Sequence, residues 1–91
     1  MRVDYLSSYD RSFRRLNRKE QEKTIEAIDL LVEAIKGSKK PKGLGLKKVR
    51  KDYWEIRIGI SKRIIFRFEP QALIVTFVGD HEEIKRFLGS S

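Results

Sequence analysis

The chain has no cysteine, so disulfide frameworks, thiolate metal sites and cysteine nucleophiles are excluded together, and stability has to come from packing. It has one histidine, which removes every site that needs two imidazoles, HExxH zinc proteases among them. Long apolar runs are missing too. Ala72 to Val75 and Ile64 to Phe66 are typical of the longest, far below the roughly 18 residues that a spanning helix needs. The opening residues, MRVDYLSSYD, alternate charged and aromatic side chains instead of placing an apolar run after a basic start, so no signal peptide is read there. Gly43 to Lys48 (GLGLKK) has neither the GxxxxGK[ST] spacing nor GxGxxG ahead of a helix, and it reads as a loop. Ser61 lacks the residues of a nucleophile elbow. The expectation is a cytoplasmic protein with no cofactor, no metal and no membrane partner.

What remains is a chain of 91 residues, 40% apolar and 37% charged, which is enough for one domain over 1–91 around one core. Its net charge is +8, a balance that attracts phosphate backbones, acidic proteins or anionic lipid. The excess is local. Residues 1–36 carry +1, residues 37–67 carry +9 and residues 68–91 carry −2. A block this concentrated forms a binding surface if the fold gathers it onto one face.

Residues 2–6 (RVDYL) alternate and predict a short strand. Ser7 or Ser8 is placed to cap a helix in which Tyr9, Phe13 and Leu16 face inward and Arg11, Arg14, Arg15 and Arg18 outward. Asn17 with Glu20 resembles a capping box opening a second helix. In that helix Ile25, Ile28, Leu31 or Val32, and Ile35 form one stripe, with Glu22, Glu26, Asp29 and Glu33 away from it. Gly37 ends it where a left-handed residue is wanted. Ser38 to Gly45 (SKKPKGLG) is a loop by composition. The period then becomes two: Trp54, Ile56 and Ile58 point one way, Glu55 and Arg57 the other. Ile64, Phe66 and Phe68 alternate with Arg63, Ile65 and Arg67, and Pro70 and Gln71 turn the chain into a strand from Ala72 to Val78. A shorter strand fits Leu46 to Arg50. Short connections favour antiparallel pairing. DHEEIKRFL after Gly79 predicts a short C-terminal helix or turn, with Ile84, Phe87 and Leu88 packing back.

The fold class is therefore α+β: an N-terminal strand and a helix hairpin packed on one face of an antiparallel sheet, with a short C-terminal helix. The face carrying Trp54, Ile56, Ile64, Phe66 and Phe68 buries against the hairpin. The opposite face then gathers Arg57, Arg63 and Arg67, joined by Lys47, Lys48, Arg50 or Lys51. Basic residues commonly decorate the wet face of a one-sided sheet. Guanidinium forks, however, match phosphate geometry, and packed like charges cost stability until an anion relieves them. His81 lies just after the last strand. A lone exposed histidine is ordinarily a surface residue, but beside an arginine cluster it supplies a general acid or base while the cations stabilise a phosphorane. That is the minimum equipment for metal-free RNA cleavage by the substrate's own 2′-hydroxyl.

A strand, a helix hairpin, then WEIRI, KRIIFRF, LIVTFVG and DHEEIKRFL together resemble the RelE/ParE superfamily of toxins from type II toxin-antitoxin systems, over nearly the whole chain. The most specific parts are Arg63 opening the IIF strand, the WEIR strand before it and the Gly-x-His turn. The resemblance implies a toxin that acts as a ribosome-dependent mRNA endonuclease, inhibits translation and is held inactive by a cognate antitoxin. It implies a monomer on its own and a larger assembly with the antitoxin. By position it gives Arg63 the scissile phosphate, Arg57 the same group and His81 the acid or base role. Lys47, Lys48, Arg50, Lys51 and Arg67 would bind RNA, and Phe87 would stack on a base. Glu55 stands where related sequences often carry lysine, and Phe87 where several carry tyrosine. The alternatives are a ParE-like gyrase inhibitor without nuclease chemistry and a non-catalytic RNA-binding module.

Overall fold

The computed structural model describes residues 1–37, 39 and 43–89. In chain order its elements are β1 (Arg2–Tyr5), α1 (Ser7–Arg14), α2 (Arg18–Lys36), β2 (Lys47–Lys48), β3 (Tyr53–Ile58), β4 (Lys62–Glu69), β5 (Ala72–Asp80) and α3 (His81–Gly89). The strands form one sheet in the order β1-β5-β4-β3-β2. Pairing is antiparallel from β2 to β5, as the short connections predict, while β1 joins β5 in parallel. The architecture is the α+β arrangement expected from the sequence. Ser38, Lys40, Pro41 and Lys42 of the predicted loop lie outside the described residues.

The capping box forms as read. Asn17 Oδ1 accepts from the Glu20 amide at 2.8 Å, and the Asn17 amide donates to Glu20 Oε1 at 3.0 Å, satisfying two amides that the first turn would leave free. The inward side of α2 is Thr24, Ala27, Ile28 and Leu31. Ile25 is 52% exposed and does not belong to the stripe, because the packed face is one residue further round the helix. Gly37 does end α2, but at φ −85°. It needs no left-handed backbone, since its amide reaches the Glu33 carbonyl directly.

The hairpin covers the face of the sheet that carries Ile56, Ile64, Phe66, Leu73, Val75 and Val78, all buried with Tyr9, Leu16, Ile28 and Leu31. Phe68 was expected in this core and is 42% exposed. It lies at the far end of β4, where it meets Trp54 edge-on at 5.9 Å. The opposite face is not the wet one that strand alternation suggests. Ile65 and Phe77 are buried there under Ile84 of α3, with Tyr53, Phe87 and Leu88 around them. A bulge keeps both faces in register: Ile65 pairs with Phe77 and Phe66 with Val75, so Thr76 is the extra residue. Its hydroxyl donates to the Ile65 carbonyl at 3.0 Å.

β1 reaches only to Val75 along β5, and the rest of that edge is closed by α1. Neither Ser7 nor Ser8 caps α1. Its N-cap is Leu6, with no side-chain hydrogen bond. The hydroxyls are directed at β5 instead: Ser8 Oγ donates to the Thr76 carbonyl at 2.6 Å, and Ser12 Oγ accepts from the Val78 amide at 3.1 Å. Two serines thus replace a strand at an edge that would otherwise bury unpaired backbone groups. Ser12→Ala should cost about 1–3 kcal/mol, because it orphans a buried amide. The exposed Ser7→Ala should stay within about 0.5 kcal/mol. Urea unfolding of the two variants measures the difference.

Candidate nucleic-acid interface

Directly opposed residues of neighbouring strands share a face. The register therefore lays a row across the α3 side of the sheet: Arg57 on β3, Arg63 on β4 and Gly79 on β5. His81, exposed, follows two residues beyond Gly79 as the first residue of α3. The predicted catalytic set, Arg57, Arg63 and His81, is thus gathered around one end of the sheet. Gly79 is buried, and α3 closes over the row beside Arg63 there. A Cβ there would meet Phe77 Cε2 and Glu83 Oε1, each at 3.0 Å, so the helix descends onto the sheet at this residue.

The start of α3 has a capping box that the sequence reading did not identify. Asp80 Oδ1 accepts from the Glu83 amide at 2.9 Å, and the Asp80 amide donates to Glu83 Oε1 at 3.0 Å. The D-x-x-E spacing of residues 80–83 was the available signal. The Glu83 amide bonded to the carboxylate, aided by the charge of Lys62, lowers the Asp80 pKa below its ordinary value. A lowered folded-state pKa means that the contribution to stability is complete above the ordinary carboxylate range and is lost as pH falls through the folded-state value. In Asp80→Asn that part of the acid destabilisation should disappear. Following the Phe77 and Phe87 side-chain signals during acid titration tests it through the seat of α3.

Arg57 lies against the loop before β2. Its amide donates to the Leu44 carbonyl at 2.6 Å. Its guanidinium crosses the bare backbone of Gly45, where a Cβ would come within 2.5 Å of Nε. Gly45 also has φ +63°, so both its conformation and its neighbour require glycine.

Glu55 departs most from expectation. It was placed on an outward position, yet it is 4% exposed, because α3 covers that part of the face. Its Oε2 accepts from Arg63 Nη1 at 2.9 Å.

The predicted RNA-binding residues divide. Lys47 pairs with Glu55 in register and shares the arginine face. Lys48 pairs with Trp54 and sits on the hairpin side, its Nζ 6.0 Å from the indole. It therefore does not join the arginines as expected. Arg50 Nη1 donates to the Leu88 carbonyl at 2.8 Å, a cation on the last turn of α3. Lys51 is exposed in the β2–β3 turn with φ +53°. Arg67 opposes Tyr53 and lies 3.9 Å from Glu69. It is four residues, about 13 Å, along β4 from Arg63, so the expected three-arginine cluster is a pair with a distant third. Phe87 stacks on Phe77 at 4.7 Å and meets Tyr53 edge-on at 6.0 Å. One face of its ring is therefore already occupied.

No known family profile matches the chain, and no curated protein matches it by sequence. Solved structures do match in fold. The fold is that of RelE-like toxins of toxin-antitoxin systems. The toxin of the RelB-RelE antitoxin-toxin complex from Methanococcus jannaschii has a TM-score of 0.70 at 16% identity, with 93% of this chain and 98% of that one covered. YafQ from E. coli gives 0.67 at 11% identity, covering 92% and 98%. YoeB from Staphylococcus aureus, described as a dimer, gives 0.67 at 14% identity, covering 89% and 97%. Among the described residues no helix is long and apolar enough to cross a membrane.

Proposed function

We propose that this protein is the toxin of a type II toxin-antitoxin system, that it cleaves mRNA on the ribosome without a metal ion, and that a cognate antitoxin holds it inactive. The observation that carries the reading is the row Arg57, Arg63, Gly79 with His81 beyond it, on a fold shared with antitoxin-bound toxins. The row and the start of α3 offer two guanidinium groups and an imidazole, the groups that a phosphodiester calls for.

In the proposed step, the 2′-oxygen of the nucleotide before the cut forms a bond to phosphorus as its proton departs. The bond from phosphorus to the 5′-oxygen breaks, and that oxygen leaves with a proton. The products are a 2′,3′-cyclic phosphate and a 5′-hydroxyl, with no external reactant consumed. Arg63 and Arg57 hold the phosphate and stabilise the charge that builds on its oxygens. His81 transfers a proton at the attacking or leaving oxygen. Lys47 and Lys51 extend the attraction to the flanking backbone.

The test is purified protein in a translating extract, with the 3′ ends of the mRNA fragments analysed. Cleavage leaving cyclic phosphate ends supports the reading. Intact mRNA together with accumulated gyrase–DNA cleavage complexes overturns it in favour of a gyrase poison. Co-expression of a neighbouring reading frame that restores growth identifies the antitoxin.

A further inference from the structure

We propose that Glu55 is a positioning residue: it fixes the guanidinium of Arg63 for catalysis and, by its charge, weakens the resting attraction of the site for RNA. Among the described residues Glu55 is the one buried charged side chain. A buried carboxylate is tolerated only when a partner compensates for its lost hydration. Here that partner is Arg63 Nη1 at 2.9 Å. The two are diagonal neighbours, since Glu55 opposes Ile65 while Arg63 opposes Arg57. Arg63 therefore leans along the sheet toward Glu55.

Two consequences follow from this geometry. One N–H of Arg63 is committed to Glu55, which removes rotational freedom from the guanidinium and leaves its other donors for a phosphate. The pair is also neutral where the basic surface would otherwise be strongest, so part of the ground-state attraction is cancelled. An ordered cation with reduced resting charge favours turnover over tight binding of substrate.

This inference rests on the endonuclease reading for its kinetic part only. In Glu55→Gln, affinity for an RNA carrying a single 2′-deoxy nucleotide at the cut should rise roughly threefold to tenfold, the order of one partly screened charge. Over the same substitution kcat should fall about tenfold or more. Glu55→Asp keeps the charge and loses reach, so its kcat should fall with no gain in affinity. The Nε–H signal of Arg63 should be sharp in the wild type and broadened in both variants.

A residue that served the fold alone would lower thermal stability without tightening RNA binding, and that outcome overturns the proposal. So does loss of one limb of the pH–rate profile in Glu55→Gln, which would make Glu55 a proton acceptor. If the wild-type protein cuts no mRNA, the function proposed above fails. The affinity and Nε–H measurements still decide the role of Glu55.

Discussion

His81→Ala should reduce mRNA cleavage by about 100-fold or more, the range lost with a general acid or base, while the melting temperature stays within about 4 °C of the wild type. The two halves of this expectation have separate origins. The imidazole is exposed, and the start of α3 is held by Asp80 and Glu83, so little of the fold depends on it. Proton transfer in the proposed reaction does. Cleavage kinetics and a thermal melt on the same preparation check both halves, and a variant that still cuts at the wild-type rate would remove His81 from the chemistry.

Arg63→Ala should abolish cleavage and also destabilise the protein, which is why it needs a companion. Removing the arginine leaves Glu55 buried without its partner. Breaking a fully buried pair costs roughly 3–5 kcal/mol. Arg63 is 30% exposed at its side chain, so water reaches the abandoned carboxylate and the expected cost is about 2 kcal/mol, or roughly 10 °C in melting temperature. Arg63→Ala combined with Glu55→Gln should regain about half of that loss, because a neutral amide is cheaper to leave there, and should remain inactive. The double-mutant cycle separates the structural role of the pair from its chemistry. If stability does not recover, the 2.9 Å contact is not what the fold depends on.

Much of the architecture was readable from pattern. Asn17 with Glu20 marked the start of α2, and the alternation through Trp54–Ile58, Ile64–Phe68 and Ala72–Val78 gave the antiparallel strands. The errors share a cause: alternation shows that a strand has two faces but not what covers the second. Because α3 packs on it, Ile65 and Phe77 are buried and Glu55 is drawn in with them. That Arg57 and Arg63 share a face near His81 followed from strand alternation and position, whereas the partner of Arg63 required the register. Arg50 and Lys48 look like RNA ligands in a charge count. In three dimensions one meets a helix carbonyl and the other an indole. The roles of Ser8 and Ser12 depend on contacts more than sixty residues away, which no local motif encodes.

The parallel pairing of β1 with β5 has a consequence for a chain still being made. Its partners, Arg2 with Ala72 through Tyr5 with Val75, are seventy residues apart, and such distant contacts form late in folding. Gly79 and His81 come later in the chain than β1 to β4 and are synthesised after them. Neither the closed sheet nor the row of Arg57, Arg63 and Gly79 exists on a nascent chain that has not yet delivered β5. At about 5–20 residues per second, the seventy residues that separate the paired positions of β1 and β5 take roughly 4 to 14 s to synthesise. For that interval β1 has no partner strand, and a product terminated before β5 cannot close the sheet.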